Sequence, residues 1–200
     1  MPQSIMHDLE TFGFQPSFSC EWSLLPPTGE QLLQLQLHSQ TDEARGPIVH
    51  VRTRDSIEWY GAVQEGNGGL SGLYCGPSAN HVCIVSSGAA YIVPAEAPER
   101  YVPGAVRPVM AVHRVPYREM LLLVGNSDIA AYAPTGLVWV AEAVSLDGIE
   151  IQRVSPAGVE GCATGDGIQP DRKFHIDIET GRIDGGYIGY LREVGGADLT

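Results

Sequence analysis

Apolar residues along this chain come in short runs rich in Val, Ile, Leu and aromatics, each closed by Gly, Pro, Asn, Asp or Ser. That punctuation is the signature of β-strands, and helical periodicity is almost absent. Strict alternation marks several runs as half-buried. In "LLQLQLH" Leu33, Leu35 and Leu37 share one face, and in "IEIQRV" Ile149 and Ile151 oppose Glu150 and Gln152. The pattern predicts about 12–13 strands, within 30–39, 47–54, 56–63, 71–76, 81–87, 89–95, 108–116, 119–125, 128–134, 137–144, 149–155, 159–164 and 173–179. The fold class that follows is all-β: an antiparallel meander arranged as a two-sheet sandwich or half-open barrel, with propeller-like blades as the alternative.

The turn residues refine this. Asp147-Gly148 suits a two-residue hairpin, since its central positions accept positive φ, and Pro156-Ala157-Gly158 closes the next one. Three consecutive antiparallel strands from about Val138 to Ala163 are therefore expected. "EGNGGLSG" and "ATGDGIQPDRK" read as Gly-rich loops. The Pro-rich stretch 94–108 cannot be a central strand, and it is the expected internal division of a single domain over 1–200. Near the start, "SIMHDLETFGF" has the composition for one or two helical turns.

A repeat is visible inside the meander. "AAYIVPA" aligns with "AAYAPTG", and "YAPTG" with "DIETG", at spacings of the order of a four-stranded blade, about 40–45 residues. "DIETG", Asp177–Gly181, resembles the D-x-x-T-G turn of the PQQ-type β-propeller repeat, and "YAPTGLVW", Tyr132–Trp139, resembles the same turn followed by that repeat's tryptophan. The resemblance lies within 119–186. It implies that Asp177 caps a turn between outer strands and that Trp139 docks one blade on its neighbour. Three departures stand out: Tyr132 replaces the Asp, Trp139 arrives one residue early, and no Trp follows Gly181. The wider pattern is also similar to bacterial proteins of uncharacterised function, which brings no activity with it.

Composition narrows the partners. With 44% hydrophobic residues over 200 positions the chain can bury a sizeable core. Its formal charge of −12, spread from Asp8 to Asp198, argues against nucleic acid and anionic membranes and suits a basic protein partner. No apolar window has the roughly 18 residues a membrane helix needs, and the first residues lack the basic and apolar regions of a signal peptide. A cytoplasmic location follows, with Cys20, Cys75, Cys83 and Cys162 as reduced thiols. Eleven of the twelve basic residues are Arg, Lys173 being the exception, a bias typical of GC-rich bacterial genomes.

Catalytic signatures are missing. Cys75, His81 and Cys83 have the ligand chemistry for zinc but no C-x-x-C spacing, so neither metal nor cofactor is expected. His175 and Asp177, two apart on one strand face, would form a general-base pair if Ser86, Ser87 or Ser127 supplied a nucleophile, though none lies in a G-x-S-x-G elbow. "GNGG" lacks the Lys and Ser/Thr of a phosphate loop. The binding candidates are the adjacent rings Trp59 and Tyr60, on opposite strand faces, Asp166 and Asp171 in the 164–172 loop, and His175 and Asp177. The first reading is a non-catalytic interaction protein, an immunity or accessory factor in a bacterium. The alternatives are a carbohydrate- or small-ligand-binding β-sandwich and, third, a hydrolase. Oligomeric state is not encoded in any pattern here.

Overall fold

The structure, a computed structural model, describes residues 8–23, 32–37 and 46–187. Sixteen strands form among them: β1 (Phe18–Ser23), β2 (Leu33–Leu35), β3 (Ile48–Thr53), β4 (Glu58–Val63), β5 (Gly72–Cys75), β6 (His81–Ser86), β7 (Ala89–Pro94), β8 (Val102–Pro103), β9 (Ala111–Arg114), β10 (Leu121–Val124), β11 (Ile129–Ala133), β12 (Gly136–Ala141), β13 (Ile149–Val154), β14 (Gly158–Ala163), β15 (Arg172–Asp177) and β16 (Ile183–Gly185). One 3₁₀ turn, Pro98–Arg100, interrupts them. The chain divides into two compact units, Met1–Val109 and Met110–Thr200. Among the described residues no helix is long and apolar enough to cross a membrane.

The first unit holds two four-stranded sheets, β1-β3-β4-β2 and β5-β6-β7-β8. Alternation in β3 buries Val49, Val51 and Thr53 and turns His50 and Arg52 outward. With Leu35, Trp59 and Val63 these valines pack on Leu73, Val82, Ile84, Tyr91 and Val93 of the second sheet, making one core. Leu33 and Leu37 flank that core on the same side as Leu35, as their spacing required. One pairing departs from an antiparallel meander: β2 runs parallel to β4, with Leu33 opposite Gly61.

The second unit repeats the plan with two sequential meanders, β9-β10-β11-β12 and β13-β14-β15-β16. Leu122, Val124, Ile129, Ala131 and Trp139 face Val159, Phe174, Ile176 and Ile178. β10 is buried throughout, as is β11 up to Ala133, which is why "LLLV" and "IAAY" read as unbroken apolar runs. β13 and β15 instead keep one polar face.

All thirteen expected strand segments contain strands, and β1, β8 and β16 are additional. β8 and β16 span only two and three residues, and β8 ends on a proline at a sheet edge, so neither shows a period. The expected Asp147-Gly148 hairpin does not form, because β12 and β13 belong to different sheets. The chain leaving β12 folds onto the β10–β11 turn instead: the Val144 N–H donates to Ser127 O and the Gly148 N–H to Asn126 O, with Gly148 at φ +124°. Pro156-Ala157-Gly158 does close the β13–β14 hairpin, with the Ser155 N–H on Gly158 O. Residues 8–17 contain no helix. Glu10 bridges Tyr74 at a sheet edge, and the earlier part of the expected helical segment lies outside the described residues.

Both implications of the repeat resemblance are met locally. Asp177 Oδ1 accepts the backbone N–H groups of Glu179 (3.1 Å) and Thr180 (2.9 Å) and the Thr180 hydroxyl (2.7 Å), an Asx-type cap on the β15–β16 turn. The Trp139 indole lies over Gly181 of that turn and donates from Nε1 to Ile178 O at 2.9 Å. The first unit uses the same device, with Trp59 on β4 donating to Ala95 O, also at 2.9 Å. In each case an indole from one sheet is fastened to the turn that follows the third strand of the next.

Candidate functional site

Three backbone segments of the first unit meet around a cleft of about 390 Å³. They are the Gly-rich loop after β4, the Ser87-Gly88 turn between β6 and β7, and the stretch entering Val109. Ser87 and Gly88 both have positive φ, +48° and +80°, which makes this a tight two-residue hairpin. Backbone bonds lock the segments together. The Gly66 N–H donates to Ser86 O, Gly68 to Ser87 O, Gly88 to Leu70 O, Leu70 to Val109 O, and Val109 to Gly88 O. Only glycine permits such an approach: a Cβ at Gly88 would stand 2.0 Å from Gly68 O, and one at Gly66 2.3 Å from Ser87 O.

The cleft walls combine polar side chains with apolar surface. Gln64, Glu65, Asn67 and Arg107 line it, with Leu37 and Pro108 as apolar patches. Gln64 is held twice, its Oε1 accepting the Leu37 N–H (2.9 Å) and its backbone oxygen the Tyr91 hydroxyl (2.8 Å). Glu65 Oε1 accepts the Ser87 hydroxyl at 3.4 Å. Glu65 and Arg107 both point into solvent-exposed positions and, among the described residues, form no ion pair with each other or with another group. A carboxylate and a guanidinium thus line one cleft on a glycine-built frame.

The residues singled out from sequence fall elsewhere. Trp59 is core, 8% exposed and hydrogen-bonded to Ala95, so it offers no open ring to a sugar; the strand alternation that would have exposed one ring buries this one. Tyr60 lies on the outer face of β4, but the imidazole of His50 covers one side of its ring, with centroids 4.3 Å apart and planes 3° from parallel. His50 is itself held between Glu21 (3.2 Å) and Glu58 (2.7 Å), and Glu58 also takes Arg52 at 2.8 Å. This is a solvated cross-strand network.

In the second unit Asp166 and Asp171 shape the loop between β14 and β15. Asp166 Oδ1 accepts the N–H groups of Ile168 and Gln169, which hold its carboxyl below the usual range, and Asp171 accepts the Gly165 N–H at 3.2 Å. Asp177 sits at the opposite end of β15 with its carboxylate turned onto Thr180, again held below the usual range. His175 is exposed on the polar face, opposite Glu160 and Asp184. Within the first unit Trp59 and Tyr60 take opposite faces of β4, within the second Asp166 and Asp177 lie at opposite ends of β15, and the three aspartates are committed to loop geometry.

The remaining chemistry is dispersed as well. The Ser127 hydroxyl donates to Asp128 at 3.0 Å rather than to an imidazole, and Ser86 is buried in the first unit. His81 Nδ1 pairs with Ser78 Oγ at 2.8 Å, and the Cys75 thiol donates to Ser78 O. Cys83 lies opposite Tyr74, on the face away from Cys75, while Cys162 belongs to the second unit. Arg107, Asn67 and Glu65 had no signal of their own in the sequence. Only the density of glycines from Gly66 to Gly69 and the Ser-Gly step at 87–88 hinted at backbones crowded together.

No family model matches the sequence, and a search of curated proteins finds no match. Solved structures give loose likenesses. A chain in the complex of an S. cerevisiae Dbp5 variant with Nup159, a Gle1 variant, IP6 and ADP matches at 13% identity and a TM-score of 0.39, covering 90% of this chain and 53% of that one. The N-terminal domain of Nup159 gives 12% and 0.39, covering 89% and 53%. The WD40 domain of SCAP from fission yeast gives 14% and 0.33, covering 69% and 41%. The chain spans about half the length of the first two, and likenesses at this level leave the functional reading to its own residues.

Proposed function

We propose that this chain is a non-catalytic interaction module whose acidic surface recognises a protein partner bearing a basic patch. The carrying observation is charge that its own cations leave uncompensated. The formal charge is −12, and Arg52, Arg100, Arg118 and Arg153 are already engaged with Glu58, Glu99, Glu179 and Glu160. Such a surface steers a positively charged partner into encounter and repels anionic ones. Commitment of Asp166, Asp171 and Asp177 to loop caps supports the same reading, because each already has a carboxylate oxygen occupied by a backbone N–H donor. Within it, an immunity or accessory role toward a basic toxin or effector in a bacterial cytoplasm fits the size and charge.

The test is kinetic. A partner captured from native host extract at low salt is purified, and its association rate with this chain is measured from about 50 to 500 mM NaCl. Steered association falls at least ten-fold over that range. A rate flat in salt, or a partner that is itself acidic, refutes the reading. A second reading, small-ligand binding, is favoured by the cleft of the first unit.

A further inference from the structure

We propose that the cleft beside Ser87-Gly88 is a binding site for a small zwitterion of the amino-acid or short-peptide class, with the carboxylate held by Arg107 and the ammonium group by Glu65. The inference stands apart from recognition of a basic protein, since it concerns one cleft and a ligand bearing both charges.

Four observations carry it. The volume, about 390 Å³, lies in the range of small-molecule sites and is ample for an amino acid or dipeptide. Opposite charges line the same walls without neutralising each other, an arrangement that a ligand with a matching pair of charges completes and a simple anion or cation does not. Guanidinium is suited to carboxylate through its planar fork of donors, and carboxylate to ammonium as an acceptor only. Gln64 and Asn67 add amide donors and acceptors for a peptide unit, while Leu37 and Pro108 give an apolar patch for a short side chain. Finally the frame is preorganised: five backbone hydrogen bonds and glycines that no larger residue could replace fix the walls before a ligand arrives.

The carboxylate of Glu65 retains a donor from Ser87, which leaves its second oxygen for the ligand. Arg107 is exposed at the cleft, which leaves its guanidinium accessible to a ligand carboxylate. Selectivity follows from the same geometry. Blocking either charge of the ligand leaves one wall charge facing an uncharged group, and both blocked forms bind more weakly than the parent.

The experiment is calorimetric titration of the full chain with the L-amino acids, diglycine and dialanine, then with the N-acetyl and carboxamide forms of whichever binds best. Saturable binding is expected at millimolar Kd or tighter for at least one free zwitterion, with each blocked form at least ten-fold weaker. Arg107→Gln and Glu65→Gln each weaken it at least ten-fold while leaving the urea midpoint in place, because both side chains are exposed. Should one variant fail to fold, the other, together with the blocked ligands, decides. The proposal is overturned if no zwitterion saturates at about 10 mM, if acetate or methylamine alone binds as well, or if both variants bind like the parent. None of these outcomes depends on a protein partner, so failure here leaves the salt-dependence test intact, and the reverse.

Discussion

Gly181→Ala probes how the sheets of the second unit are fastened together. Gly181 has φ +69°, and a Cβ placed there would stand 2.7 Å from both Cγ and Cδ2 of Trp139. Two separable costs follow. Left-handed backbone at a residue with a Cβ costs about 1–2 kcal/mol. Displacing the indole adds about 1–3 kcal/mol, through strain in a packed core or through loss of the Nε1 bond that satisfies Ile178 O. The variant should therefore lose roughly 2–5 kcal/mol in urea unfolding followed by circular dichroism, with its slope unchanged. The indole is the part that can be subtracted. In a Trp139→Ala background only the backbone cost survives, so the double-mutant cycle should show a coupling of about 1–3 kcal/mol. A loss below about 0.5 kcal/mol for Gly181→Ala, or a cycle additive within about 0.5 kcal/mol, would falsify the docking argument.

Trp59→Phe should destabilise the first unit by about 1–3 kcal/mol, since Ala95 O loses its buried donor; urea unfolding checks it, and a loss within about 0.5 kcal/mol counts against the indole bond. The cap on the β15–β16 turn predicts a pH dependence. Thr180 holds the Asp177 carboxyl below its ordinary 3.8, so the unfolded chain takes up the proton first. The stabilisation is present above pH 3.8 and is lost as pH falls through the lower folded value. Asp177→Asn should accordingly lower stability at neutral pH and flatten the acid limb of a stability-against-pH curve; an unchanged limb refutes the cap. The thiols should separate by reactivity. Burial pushes the Cys83 thiol well above its usual range, and burial with Glu21 alongside does the same to Cys20, while Cys75 is buried and bonded to Ser78 O. At about pH 8 a disulfide reagent should modify Cys162 first, and Cys162→Ser should abolish the fast phase; a fast phase that survives the substitution would contradict the assigned burial.

What the sequence revealed about the fold, and what it hid, divides along a physical line. Side-chain period is a local property, so the alternation of Leu33, Leu35 and Leu37, and of Ile149 and Ile151, located strands and their inner faces without further information. Pairing is not local. Asp147-Gly148 has the φ preference of a hairpin, yet the same positive φ serves equally to carry a chain from one sheet to the next, and three hydrogen bonds to the 126–127 turn decide between them. The parallel pairing of β2 with β4 is likewise set by a core that only the folded unit assembles. Trp139 and Asp177 were legible because a turn motif brings capping group and glycine together within five residues. The cleft was not, because its parts, Gln64–Gly69, Ser87-Gly88 and Arg107-Pro108, are apolar or charged fragments of three different connections with no common period. Their glycines were the readable trace. The run from Gly66 to Gly69 reads alone as a loose loop, but in the folded unit Gly66 and Gly69 each remove a side chain where another backbone passes, and that close passage is what makes the cleft walls rigid. Glycine density between strands is thus weak evidence for flexibility and better evidence for crowded backbones, which is where a preformed site can be built.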